Sequence, residues 1–143
     1  MPEPVIICLH QPALELAEKV ASLCDGEVHG LQSRVNTIPE TFEKTKEHLQ
    51  ELFQKGHPLV GICSSGILIR SLVDVLSDKH TEPPVLAVAE DGSCVIPLLG
   101  GHHGANDLAR KIASGIKVVA AVTTAGDLKF GIALDQPPED LTL

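Results

Sequence analysis

Pro58-Leu59-Val60-Gly61-Ile62-Cys63-Ser64-Ser65-Gly66-Ile67-Leu68-Ile69-Arg70 is the stretch that decides the fold. Residues 58–63 form an apolar run of strand length, too continuous for a strand with one wet face. Ser64-Ser65-Gly66 turns the chain, and residues 67–76 read as a nearly all-apolar helix broken by Arg70 and Asp74. A buried strand, a tight turn and a covering helix make up the unit from which parallel sheets are assembled.

The same alternation extends in both directions. Upstream, residues 4–10 are a β-branched run that reads as a strand buried on both faces. Leu14, Leu16, Ala17, Val20, Ala21 and Leu23 make a helical stripe that stops before Asp25-Gly26, and residues 27–31 read as a short strand. Thr37-Ile38-Pro39-Glu40 has the spacing of a capping box, which predicts a helix carrying Phe42, Leu49, Leu52 and Phe53 on one side and ending at Gly56. Glu40 and Lys44 fall at i,i+4 on its charged face. Downstream, residues 85–89 read as a strand and Asp91-Gly92 as a hairpin turn, with residues 94–99 returning antiparallel. Leu108, Ala109, Ile112 and Ala113 predict a helix, residues 118–122 a strand and residues 130–134 a short strand. The expected fold is therefore α/β: a mostly parallel, doubly wound sheet with one antiparallel hairpin and helices on both faces. Residues 1–135 are expected to form one domain, and residues 136–143, which include Pro137-Pro138, to be a linker or tail of a longer polypeptide.

Composition narrows the function classes. The 143 residues carry a net charge of −8, no Trp or Tyr, and three Phe. Nucleic-acid binding calls for a basic surface and stacking rings, so that class is set aside, as is an anionic membrane surface. No apolar run approaches the ~20 residues of a membrane span, and the N-terminus lacks the basic start of a secretion signal. Cys8, Cys24, Cys63 and Cys94 are far apart with no C-x-x-C pair, as expected of reduced thiols in a cytoplasmic protein.

Three loops carry polar chemistry. Ser64-Ser65-Gly66 opens a helix, where free N–H groups and the helix dipole favour an anion and either serine can cap. It is not a phosphate-binding Walker loop, and Cys63 stands where a hydrolase elbow would place its serine. Arg70, one turn further on, is a charge in an apolar helix that calls for a carboxylate or an acidic ligand as partner. In Gly100-Gly101-His102-His103-Gly104 the glycines allow close backbone approach, and either histidine is a candidate to give or take a proton near neutrality. Adjacent histidines point apart and no carboxylate–His spacing supports zinc, so no metal ligands are assigned. Thr123 and Thr124 offer hydroxyls and Asp127 a carboxylate, able to orient a ligand or a water or to form a plain turn. Asp78-Lys79 reads as a surface pair, with Lys79 a further positive group. All three loops are expected at the carboxyl edge of the strands, where doubly wound sheets bind ligands.

The runs at residues 61–70, 84–92 and 98–102, with Asp78-Lys79 and Thr123-Thr124-Ala125, resemble the N-terminal part of the cobalamin-synthesis G family. The resemblance covers residues 58–135 well and the first 57 weakly. It implies a cobalt-precorrin-5A hydrolase activity that opens a δ-lactone on a corrin precursor and releases acetaldehyde. It implies His102 as base, with Asp127 a second catalytic candidate able to orient a ligand or a water. Ser64, Ser65, Gly66, Arg70, Lys79, Gly100, Gly101, His103, Gly104, Thr123 and Thr124 would bind the precorrin or cobalt-precorrin. Cobalt enters only as part of that substrate, and no cofactor is expected. Gly100 replaces a family serine, one glycine is missing before Ala105-Asn106, and Gly126 replaces a threonine. The family's C-terminal domain is not expected within these 143 residues. The ending is similar to a shortened form that precedes a precorrin-3B C17-methyltransferase. That form implies a second role, a non-catalytic tetrapyrrole-binding or channelling domain attached to the methyltransferase.

Overall fold

The computed structural model describes residues 2–77, 81–101 and 104–123. Six strands, β1 (Val5–Cys8), β2 (Glu27–Leu31), β3 (Thr41–Phe42), β4 (Leu59–Ile62), β5 (Val85–Val88) and β6 (Val95–Leu99), lie in the order β3-β2-β1-β4-β5-β6. Pairing is parallel from β3 to β5, and β6 is antiparallel to β5. The expected fold class is the observed one. The hairpin closes where the sequence places it: Asp91 Oδ1 accepts from Ser93 N (3.0 Å) and Ala89 O from Gly92 N (2.8 Å).

Each central strand is buried on both faces, and alternate residues enter two cores. Ile6, Cys8, Val60, Ile62, Leu86 and Val88 pack under α1 (Leu14–Cys24) and α4 (Ala105–Gly115). Val5, Ile7, Leu59, Val85 and Ala87 pack under α2 (Thr45–Gln54) and α3 (Ser65–Leu72). Gly61 occurs where α3 comes closest: a Cβ there would stand 2.8 Å from a Leu68 methyl carbon. Not all of α3 is buried, because its outer face leaves Ile69 51% exposed and the residue after it, Val73, 57%.

Three local expectations fail, each for an identifiable reason. The capping box does not form. Glu40 O accepts from Gly30 N (3.0 Å) and Phe42 O from Gln32 N (2.8 Å), so this segment serves as an edge strand and α2 begins only at Thr45. Thr37→Ala is therefore expected to change stability by less than about 0.5 kcal/mol in urea unfolding, where a working cap would cost ~1 kcal/mol. The strand expected at residues 118–122 shrinks to one parallel bridge, Val95 to Ala120. Val95 O accepts from Ala121 N (2.8 Å), but the next donor on β6 would be Pro97, which has no N–H. Residues 67–76 are helical only in part: α3 begins earlier, at Ser65, and gives way to a 3₁₀ turn over Val73–Val75. The strand at 130–134 and the linker at 136–143 lie outside the described residues.

Where β2 meets α2, His29 Nδ1 and His48 Nε2 share a hydrogen bond of 2.8 Å, and the His48 ring stacks on Phe42. Burial and the neighbouring His29 push the His48 pKa below its ordinary value. The unfolded chain therefore takes up this proton first. The resulting stability is full above pH ~6.5 and is lost as pH falls below that toward the lowered folded value. Tm is expected to fall as pH drops from 7 to 5, and less steeply in His48→Gln.

Candidate functional site

Register separates the loops expected to converge. The β4 carboxyl end carries Ser64 and Ser65, whereas β6 runs the other way, with Val88 opposite Val95 and Val85 opposite Leu99. The glycine turn after Leu99 therefore sits at the amino edge of the parallel strands. Five residues of strand separate Leu59 from Ser64, so the two edges stand ~16 Å apart. The bridge at Ala120 runs parallel to β6 and carries Thr123 to the same amino edge. The single cleft built from three loops is thus two regions.

At the carboxyl edge, Ser64 occupies the N-cap of α3 with extended backbone (φ −67°, ψ 145°) but makes no side-chain cap bond, and Ser65 is the first residue of the helix. Arg70 is exposed and folds back over the first turn of its own helix, its Nη2 3.0 Å from where a Cβ on Gly66 would stand. Solvent satisfies the charge, so the buried or ligand carboxylate expected for it is not required. Cys63 is 4% exposed and burial pushes its thiol up to about 12, which removes it as a nucleophile. His10 Nδ1 and Glu90 Oε2 approach to 3.2 Å across this edge.

At the amino edge, the glycine turn is held at both ends. Gly100 N donates to Glu82 Oε1 (3.3 Å), and Gly100 O accepts from Ala105 N (3.1 Å), closing the chain across the turn. Gly100 has φ +78°, and a Cβ there would meet Pro83 O and Pro84 Cα at 2.7 Å. Gly104 is the N-cap of α4 with φ +98°, open space where a Cβ would stand and no side-chain cap. A polar depression of about 220 Å³ is lined by Glu82, Gly100, Gly101, Asn106 and Thr123 among others. Beyond Gly104 and Leu108 lies an apolar depression of about 520 Å³, walled by Pro2, Pro4, Pro58 and Pro84. The turn therefore divides a polar hollow from a greasy one.

Of the residues singled out in the sequence, Gly100, Gly101 and Thr123 come together, and Gly104 adjoins them. Ser64, Ser65, Gly66 and Arg70 are grouped at the other edge. Lys79, His102, His103, Thr124 and Asp127 lie outside the described residues. Glu82 and Asn106 are the members of the site that sequence reasoning missed. Asn106 reads as a helix cap but is 7% exposed in the wall of the hollow, and Glu82 reads as loop. The signal for Glu82 was the stiff Pro83-Pro84 behind it, which fixes where a preceding side chain can go. Among the described residues, Glu27, His29 and Glu40 bring possible metal-ligating atoms within 4.8 Å of one another, well away from this turn.

The comparisons with known proteins agree on one family. A family model described as cobalamin synthesis G N-terminal matches residues 47–127. A cobalt-precorrin-5A hydrolase of Priestia megaterium is 36% identical over 88 residues, 61% of this chain and 24% of that protein. A cobalt-precorrin-5A hydrolase of Salmonella typhimurium is 40% identical over 78 residues, 54% of this chain and 22% of that protein. The chain thus spans about a quarter of the length of these curated relatives. The crystal structure of a cobalamin biosynthesis protein G homolog from Sulfolobus solfataricus matches with a TM-score of 0.63 and 20% identity, over 85% of this chain and 36% of that one. This last likeness speaks to the fold alone. No helix among the described residues is long and apolar enough to cross a membrane.

Proposed function

The chain belongs to the cobalamin synthesis G N-terminal family, and from that premise we propose that it acts on a corrin precursor at the glycine-turn edge, opening a δ-lactone and releasing acetaldehyde. The observation that carries this reading is the meeting of Gly100, Gly101, Asn106 and Thr123, all inside the family match, in one hollow beside an apolar one. A tetrapyrrole has an apolar ring and a polar rim, and the two hollows offer a surface of each kind.

The chemistry divides among few groups. Water adds to the lactone carbonyl, the ring C–O bond breaks, and the released alkoxide takes a proton. A base then removes the hydroxyl proton, and retro-aldol cleavage of the C–C bond frees acetaldehyde while its electron pair stays with the macrocycle. His102 is the base in this reading, with Asp127 to orient it or the water. Backbone N–H groups of the glycine turn are the donor candidates for the developing oxyanion. Lys79, His103 and Thr124 remain binding candidates. Cobalt, where present, arrives with the substrate.

A second reading follows from the likeness of residues 123–135 to the shortened family form. In it the domain binds and channels the tetrapyrrole for an attached methyltransferase, without turnover. One experiment addresses both. The chain is mixed with a corrinoid lactone, binding is measured by absorbance, and acetaldehyde is measured enzymatically. Acetaldehyde supports the hydrolase, binding without it supports the carrier, and no binding overturns both. Thr123→Val is expected to weaken binding by about 2–10-fold, the worth of one hydrogen bond, while Arg70→Met changes it less than ~2-fold. The reverse pattern would move the site to the serine turn.

A further inference from the structure

We propose that Glu27, His29 and Glu40 form a binding site for a divalent first-row transition ion, on the half of the sheet away from the glycine turn. Glu27 and His29 are i,i+2 on β2 and so share one face. The bond from Gly30 N to Glu40 O lays the chain before β3 alongside them and delivers the third ligand. One ligand atom from each residue lies within 4.8 Å of the others. His29 Nε2 and Glu27 Oε1 are 3.3 Å apart. Two ligands each ~2.0–2.1 Å from an ion at the tetrahedral angle would stand about 3.3–3.4 Å apart.

What distinguishes this cluster from a patch of surface carboxylates is its imidazole. The His29 side chain is 14% exposed, its Nε2 faces Glu27, and its Nδ1 is taken by His48 Nε2 at 2.8 Å. Stacking of His48 on Phe42, with centroids 4.5 Å apart and planes 8° apart, fixes the second ring. A metal-ligating histidine characteristically has its other nitrogen held by such a partner, which sets its tautomer. Two neutral rings can share this bond in two ways. In one, His48 donates and His29 Nε2–H points at Glu27. In the other, His29 Nδ1–H donates, and Nε2 turns a lone pair toward the carboxylates, the arrangement in which a cation can take the proton's place.

The donor set gives the class of ion. One imidazole with two carboxylates suits zinc and its neighbours, whereas an ion of the magnesium type prefers an all-oxygen shell. Two carboxylates and a neutral ring match a dipositive charge, and the exposure of Glu40 leaves room for water as the remaining ligand.

Zinc titration of the full chain at pH 7.5, followed by NMR of the histidine rings, tests this site. The first equivalent is expected to shift His29 and His48 ring signals before those of other histidines, and millimolar Mg²⁺ to leave them in place. Glu40→Gln, an exposed change that should leave the fold intact, is expected to weaken zinc binding ~10-fold or more, as is His29→Gln. The proposal is overturned if the His29 signals do not move at one equivalent, or if Glu40→Gln binds zinc as tightly as the unmodified chain. Neither readout involves the corrinoid, so the site stands or falls apart from the proposed lactone chemistry.

Discussion

Replacing Gly100 with alanine is expected to destabilise the protein by about 2–4 kcal/mol, one of the largest effects of any single methyl group in this chain. Two costs combine. A non-glycine residue in the left-handed region costs ~1–2 kcal/mol, and forcing a methyl into filled space costs ~1–3 kcal/mol. Both apply at Gly100, with φ +78° and backbone atoms of Pro83 and Pro84 2.7–2.8 Å from the new carbon. Those atoms belong to a Pro-Pro step and cannot swing aside as a side chain would. For a domain near this size the loss corresponds to a Tm drop of roughly 6–12 °C. Gly104 is the internal control, because its φ is +98° but a Cβ there meets nothing within 4 Å. Gly104→Ala should therefore show the conformational cost alone, ~1–2 kcal/mol. Equal Tm losses in the two variants would show that the turn does not pack on the prolines as described. Gly100→Ser, which restores the residue the resembling family carries, is expected to be no better than alanine.

The contrast between these glycines shows what the sequence can and cannot reveal. Residues 98–104 stand out by composition alone, yet nothing local says which glycine is crowded and which is free. That depends on Pro83 and Pro84, about 16 positions earlier in the chain and adjacent in space. The central strands were legible for the opposite reason. Burial on both faces writes itself into the chain as unbroken runs, so β1, β4 and β5 needed no partner to be seen, and the α1 stripe and the Asp91-Gly92 turn were as plain.

The misplaced edge has a different cause. The rule that ligands gather beyond the carboxyl ends of strands holds for parallel strands, and β6 is antiparallel. Reading Asp91-Gly92 as a hairpin already implied that the residues after Leu99 return to the amino edge. The false capping box failed through competition: Glu40 can cap a helix or lend its carbonyl to a sheet edge, and only the pairing of β2 with β3 decides. That same pairing assembles Glu27, His29 and Glu40, which is why no metal-ligand spacing is visible along the chain. Arg70 misled because a charge in an apolar helix is assumed buried, whereas the outer face of α3 is exposed at Ile69 and Arg70 alike.

Under the proposed hydrolase reading, His102→Ala is expected to lower kcat for acetaldehyde release by about 10²–10⁴-fold, the usual range for removing a general base. KM should change little, since a base that acts in the transition state contributes little to ground-state binding. His103→Ala is expected to lose less than ~10-fold, which separates the two histidines that composition alone leaves equivalent. With His102 as the base, kcat/KM in the unmodified chain should decline below pH ~6.5 as the imidazole takes up a proton. A carboxylate at Asp127 that orients the ring would favour its protonated form and move that decline to higher pH, and Asp127→Asn would move it back down. A rise in KM with kcat unchanged in His102→Ala would reassign this residue to binding. Full activity in that variant would remove His102 from the proposed chemistry.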